Sequence, residues 1–206
     1  MTLVKICGIT SLEDALAAVD AGADALGFNF YRPSPRYISP EDAREIIDQL
    51  PQSILKVGVF VNEELQSVVR IATEAGLSAV QLHGDESPEY CRKLQGRYVI
   101  KAFGAVNDLD LANYQVEAIM LDTKDDRLRG GTGRVFDWLI AQRARESVKS
   151  ADLFLAGGLS PDNVAEAIVT VRPYAVDACS SLEDAPGKKN HATLRAFINA
   201  VRSITP

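Results

Sequence analysis

Histidine and cysteine are scarce in this chain: His83 and His191, and Cys7, Cys91 and Cys179, among 206 residues. The cysteines are odd in number, widely spaced and without a CxxC pair. Neither a disulfide framework nor a zinc site is indicated, no metal is expected, and reduced thiols in a cytoplasmic protein are the natural reading. No apolar run is long enough to span a bilayer. The opening Met1-Thr2-Leu3-Val4-Lys5 leads straight into a strand-like segment, so no signal or transit peptide is expected. A net positive charge is also lacking. At −6 the balance argues against nucleic-acid and anionic-membrane partners. It also means that a phosphorylated ligand must be gripped by local donors. With no linker, low-complexity tract or close repeat, the chain fits one domain spanning residues 1–206.

What is present is alternation. Short apolar runs at 3–7, 25–30, 55–61, 79–82, 98–103, 118–121, 153–156 and 174–178 read as buried parallel strands. Helical periods lie between them: Leu12, Ala15, Leu16 and Val19; Leu65, Val68, Val69 and Ala72; Leu194, Phe197, Ile198 and Val201. Thr10 with Glu13 reads as a capping box, and Ser39-Pro40, Ser87-Pro88 and Ser160-Pro161 read as helix starts. Gly22 and Gly76 stand where helices should stop. A further helix is expected between Asn107 and Tyr114, and polar loops at 124–133 and 184–190. Eight strands alternating with eight helices is the count of an α/β (β/α)8 TIM barrel. An open, doubly wound sheet accepts the same alternation.

In a barrel, chemistry belongs at the C-terminal ends of the strands. Polar residues and glycines gather there: Cys7-Gly8; Tyr31 to Arg36; Gln81-Leu82-His83-Gly84; Asp122-Thr123 with Gly130-Gly131-Thr132-Gly133; Gly157-Gly158; and Asp177-Ala178-Cys179-Ser180-Ser181. Gly157-Gly158 ahead of Ser160-Pro161, together with Ser180-Ser181, offers backbone N–H groups and hydroxyls to a phosphate. The same Gly-Gly also serves a plain tight turn. From the residues alone, Cys7 reads first as a small buried hydrophobe, Asp122 as an acid or a loop cap, and Arg36 as a solvated loop arginine or an anion fork.

Read together, Lys5-Ile6-Cys7-Gly8-Ile9-Thr10, Ser34-Pro35-Arg36-Tyr37-Ile38, Val57-Gly58-Val59-Phe60-Val61-Asn62, Gln81-Leu82-His83-Gly84, Leu121-Asp122-Thr123, Phe136-Asp137-Trp138 and Pro186-Gly187-Lys188-Lys189 stand in an order that resembles the phosphoribosylanthranilate isomerases, end to end. The resemblance implies a (β/α)8 barrel and a cofactor-free Amadori rearrangement in tryptophan biosynthesis. The product would be 1-(2-carboxyphenylamino)-1-deoxyribulose 5-phosphate, made by a monomer or homodimer. It gives Cys7 the role of general base, Asp122 that of general acid, and Arg36 the anthranilate carboxylate. His83, Gln81, Gly131, Gly133 and Asp177 would line the substrate pocket. Gly157, Gly158, Ser180 and Ser181 would hold the phosphate, and Cys91 would be structural. One departure stands out: the family usually has glycine where this chain has Ser181. Serine there would be strained if the position needs a positive φ, or it would offer its hydroxyl instead.

The implied chemistry asks for Cys7 partly as thiolate and for a proton on Asp122. Rival phosphate-binding barrels fit less well. A histidine-pathway isomerase would place aspartate where Cys7 stands. A metal-dependent epimerase would want more histidine and aspartate ligands. An indole-glycerol-phosphate synthase needs a working lysine; Lys56 starts its strand and lies at the wrong end, whereas Lys101, within strand five, could project into the barrel. A non-catalytic phosphate binder has only Ser181 in its favour.

Overall fold

The structure is a computed structural model that describes residues 1–104, 111–122, 138–147 and 150–204. Eight parallel strands run β1 (Leu3–Cys7), β2 (Ala25–Asn29), β3 (Leu55–Phe60), β4 (Ala79–Leu82), β5 (Tyr98–Gly104), β6 (Ala118–Asp122), β7 (Asp152–Leu155) and β8 (Ala175–Ala178). They pair in sequence order, and β8 pairs back onto β1 with Leu3 opposite Ala175 and Lys5 opposite Asp177. That last pairing closes the barrel and excludes the open sheet. The helices are α1 (Leu12–Ala21), α2 (Pro40–Ile47), α3 (Leu65–Glu74), α4 (Pro88–Arg92), α5 (Trp138–Ser147), α6 (Val164–Val171) and α7 (His191–Arg202). Among the described residues no helix is long and apolar enough to cross a membrane.

The pleat decides which side chains see the barrel axis, because successive residues of a strand face opposite ways. Ala25, Val57, Ala79, Ile100, Ala102, Ala118, Met120, Phe154 and Ala175 form one buried cluster, the barrel interior, with Leu3 against it. Val4, Ile6, Leu26, Phe28, Val80, Leu82, Ile119, Leu121 and Val176 join the apolar faces of the helices in a second cluster. Counting on in twos from the interior set reaches Lys5 and Cys7 on β1, Gly27 on β2, Gln81 and then His83 on β4, Asp122 on β6, and Asp177 and then Cys179 on β8. The expected chemistry therefore shares one parity, the inward one.

Several local expectations need correction. The cap of α1 is Ser11, whose side chain accepts from the Asp14 N–H, and not Thr10. Thr10 instead donates its hydroxyl to the Gly187 carbonyl at 2.5 Å. Ser160-Pro161 opens a turn, and α6 begins later, after Asn163. Of the helix expected at 107–114, residues 107–110 lie outside the described residues, and Leu111 to Tyr114 make a turn. The loop at 124–133, with Gly131 and Gly133, also lies outside them. The stretch 184–190 is not simply a loop. After a 3-10 turn (Ser180–Leu182), β9 (Glu183–Ala185) and β10 (Lys188–Lys189) form an antiparallel ribbon.

Candidate active site

Cys7 ends β1, buried, opposite Gly27. A side-chain carbon at 27 would lie 2.7 Å from Cys7 Sγ and 3.2 Å from Lys5 Nζ. Glycine leaves the space in which thiol and ammonium meet. Lys5 sits one pleat below Cys7 on the same face, fully buried, and donates to Asp177 Oδ1 at 2.8 Å. A hydrogen bond from the Cys179 thiol, with Lys5 and Lys189 nearby, holds Cys7 well below the ordinary thiol range despite burial. The same contact, aided by burial, pushes Cys179 well above it. Of the two, Cys7 is thus the more acidic thiol. Burial lowers Lys5, but Asp177 and Cys7 together outweigh it and hold the ammonium charged. Asp177 is pushed up to about 7, chiefly by burial, with Lys5 pulling the other way.

Arg36 is delivered by the loop after β2. Asn29 accepts from the Tyr31 N–H and donates to Ser34 Oγ, which in turn accepts from the Arg36 N–H. The Arg36 guanidinium grips Glu183: Nε lies 2.9 and 3.0 Å from the two carboxylate oxygens and Nη2 lies 2.7 Å from Oε2. Lys189 Nζ donates to the other oxygen of Glu183 at 2.8 Å. Burial pushes Glu183 up, but Arg36 and Lys189 outweigh it and keep it below the usual carboxylate range.

Across the barrel, His83 Nε2 lies 3.4 Å from Asp122 Oδ2, and the Gln81 amide nitrogen lies 2.9 Å from His83 Nδ1. Gln81, His83 and Asp122 thus stand in a row, the two ring nitrogens facing one partner each. Gln81 Oε1 is buried without a partner among the described residues. β6 and β1 are three steps apart around the closed barrel, so Asp122 and Cys7 approach its axis from different sides.

The phosphate candidates come together at the loops after β7 and β8. Gly157 and Gly158 both have positive φ, 84° and 68°, which glycine adopts without steric cost. Asn163 braces that turn, donating to the Gly158 carbonyl and accepting from the Ser160 N–H, each at 2.9 Å. Ser180 and Ser181 begin the 3-10 turn, where the first N–H groups have no partner within the turn. Ser181 is not strained: among the described residues, the non-glycine positions with positive φ are Asn62 and Arg172. Its hydroxyl donates to the Leu159 carbonyl and so ties the two phosphate-side loops to each other.

Two lysines are disposed of by geometry. Lys56 Nζ caps the Pro51 carbonyl at the far end of the barrel. Lys101 does not enter the barrel; it shares the outward parity of Val99 and Phe103. Its ammonium reaches the carbonyls of Leu82, Gly84 and Ala102 and lies 3.1 Å from Glu86, which leaves no donor over for chemistry. Cys91 is buried in α4, and burial pushes its thiol up to about 11, in keeping with a structural role.

Residues 4–200 match the family model for N-(5'-phosphoribosyl)anthranilate isomerase. The chain belongs to that family. It is 52% identical over 201 residues to the N-(5'-phosphoribosyl)anthranilate isomerase of Trichlorobacter lovleyi, covering 96% of this chain and 97% of that one. It is 50% identical over 208 residues to that of Thermotoga maritima, covering 99% and 100%. The crystal structure of the Thermotoga maritima enzyme superposes with a TM-score of 0.90 at 46% identity, covering 99% of this chain and 100% of that one. A second family structure holds reduced 1-(o-carboxyphenylamino)-1-deoxyribulose 5-phosphate; it superposes at 0.87 with 45% identity, covering 99% and 100%. The Thermotoga maritima protein is described as dimeric.

Sequence reasoning missed Lys5, Glu183, Lys189 and the contact between Cys7 and Cys179 as parts of the site. For Lys5 a signal existed: a lysine two positions before Cys7 in an apolar strand must share its inward face. For Glu183 and Lys189 there was none, because their role comes from a ribbon that brings them beneath a loop 147 positions away in the sequence.

Proposed function

We propose that the chain catalyses the Amadori rearrangement of N-(5-phosphoribosyl)anthranilate to 1-(2-carboxyphenylamino)-1-deoxyribulose 5-phosphate in tryptophan biosynthesis. One domain, residues 1–206, does this in the cytoplasm as a monomer or homodimer. The observation that carries the reading is geometric: Cys7 faces inward above the buried Lys5 ammonium, across the barrel from Asp122 and His83. Family membership supplies the substrate.

Asp122 gives a proton to the furanose ring oxygen. The C1′–O bond breaks as the anilino nitrogen lone pair forms C1′=N, and the resulting iminium acidifies the C2′–H. Cys7 takes that proton, and the electron pair moves to nitrogen, giving an enolamine that tautomerises to the ketone. Cys7 suits a base because its thiol is held well below the ordinary thiol range, so that a thiolate forms more readily. The Gln81 Oε1 acceptor is suited to a sugar hydroxyl, Arg36 to the anthranilate carboxylate, and the Gly157-Gly158 and Ser180-Ser181 N–H groups to the phosphate. Gly131 and Gly133 complete the pocket in this reading.

The test follows the decay of phosphoribosylanthranilate fluorescence with purified enzyme in the presence of a chelator, beside Cys7→Ala and Asp122→Asn. A positioned acid or base contributes ~10²–10⁴-fold, so each variant should lose that much turnover. No decay above the spontaneous rate in the unaltered protein would end the proposal, and near-normal turnover in either variant would remove that residue from the mechanism.

A further inference from the structure

The Arg36–Glu183 contact occupies only one edge of the guanidinium, the one formed by Nε and Nη2. An arginine carries a second parallel fork at its end, Nη1 with Nη2, and that fork matches a carboxylate. The Arg36 stem is also confined: a side-chain carbon on Gly8 would lie 2.8 Å from Arg36 Cδ and 2.9 Å from Cys179 Sγ. Stem and one edge fixed together leave the end fork a single orientation beside the residue that follows Cys7.

Glu183 is built for holding and not for binding. Its side chain is 3% exposed, and its Oε1 also accepts from Lys189 Nζ at 2.8 Å and from the Gly187 N–H at 3.4 Å. A lone glutamate would cancel the charge of Arg36. Lys189 stands opposite Glu183 in the β9–β10 ribbon and makes the cluster two cations to one anion. Arg36, Lys189 and Glu183 together thus carry one net positive charge in a chain of net charge −6.

We infer that Glu183 is a positioning residue for substrate selection: it fixes Arg36 by one edge so that the other edge takes the aromatic carboxylate. The inference rests on the reading of Arg36 given above. Its prediction concerns discrimination, because an arginine freed from Glu183 keeps its charge and loses its aim.

The experiment measures equilibrium binding of the reduced product, 1-(2-carboxyphenylamino)-1-deoxyribitol 5-phosphate, and of the analogue lacking the carboxyl group. The proteins are the unaltered chain, Glu183→Gln and Arg36→Ala. Charged bidentate hydrogen bonds imply that removing the carboxyl costs the unaltered protein about 10- to 100-fold in affinity. In Glu183→Gln that penalty should shrink to about 3-fold or less, with the carboxyl-free ligand bound about as before and KM raised more than kcat is lowered. Full carboxyl preference in Glu183→Gln overturns the inference, and so does equal loss of both ligands, which would mean that Glu183 merely holds the site together. If Arg36→Ala keeps the carboxyl preference, the Arg36 reading fails by itself, whatever Glu183→Gln does. Glu183→Asp, which keeps the charge but withdraws it from the fork, carries the same comparison if the glutamine variant does not fold.

Discussion

Lys5→Met removes the cation beneath Cys7 and keeps an unbranched stem of similar reach. The partner left behind, Asp177, is only 8% exposed. Stranding a buried charge costs roughly 3–5 kcal/mol, but a carboxyl can escape that cost by taking a proton. Asp177 is already close to doing so, since burial pushes it up to about 7. Its unfolded value is near ~3.9, so the native state binds the proton more tightly. The stability gained from that proton is fully present at low pH and is lost as pH rises through 7. Without Lys5, which favours the ionised carboxyl, the carboxyl moves further up and the loss continues into alkaline pH. At ~1.4 kcal/mol per pH unit per proton, the gap between parent and variant should widen by up to about 3 kcal/mol from pH 7 to 9. At pH 6 the gap should be small, because neither protein then carries the buried carboxylate in full. Urea unfolding at pH 6, 7.5 and 9 measures it, with Cys7 kept in both proteins because it helps to raise Asp177. A destabilisation independent of pH would refute the reasoning, since it would mean that Lys5 acts by packing alone.

Cys179→Ala removes the hydrogen bond that does most to keep Cys7 ionised, so the acidic limb of kcat/KM should move to higher pH; an unmoved limb would detach Cys179 from the base. Gly8→Ala puts a side chain at φ +75° against Arg36 and Cys179, and should cost about 1–2 kcal/mol in urea unfolding from the backbone alone. It should also raise KM by displacing Arg36, and an unchanged KM would contradict the placement of that stem. Ser181→Gly cuts the hydroxyl tie to Leu159 and should lower stability by about 0.5–1.5 kcal/mol; an unshifted denaturation midpoint would deny the tie any weight.

The strands were legible because each is a short apolar run with a polar residue or glycine at its end. Every strand boundary read from sequence falls within one residue of the structure. Closure was not legible, since only the pairing of Lys5 with Asp177 and its neighbours distinguishes a barrel from an open sheet. Helix starts were legible where Ser-Pro fixes both cap and first turn, as at Ser39 and Ser87. The pattern misled at Ser160, where the Asn163 side chain holds a turn open first. It misled again at Thr10, whose hydroxyl is claimed by Gly187 from the far end of the chain. Lys101 was misread for want of parity: an outward-facing lysine inside an apolar strand looks like an inward one until its neighbours Val99 and Phe103 are seen to face the helices.

The charges around Cys7 explain why an acidic chain can serve a substrate that carries a phosphate and a carboxylate. Lys5, Lys189 and Arg36 are each taken from solvent and paired, Lys5 with Asp177 and the other two with a single carboxylate, Glu183. With Asp177 ionised, two carboxylates for three cations leave one positive charge, which a thiolate at Cys7 would balance. A thiolate there would be the counter-ion that completes the cluster. On the proposed mechanism Cys7 becomes neutral as it takes the C2′ proton, and the cluster is left net positive beside the substrate's own anions. Charge–charge attraction is strong where water is excluded, so proton transfer and substrate binding reinforce each other at the step where the enolamine forms. On this account Cys7→Ser fails for two reasons. An alcohol is far too weak an acid to supply the anion, and without it the buried cations lack their balance. Cys7→Asp restores an anion, carried one bond further from Cβ, so it should recover part of the affinity for the reduced product at neutral pH that Cys7→Ser loses. Equal affinity in the two variants would show that the cations do not depend on the charge at position 7.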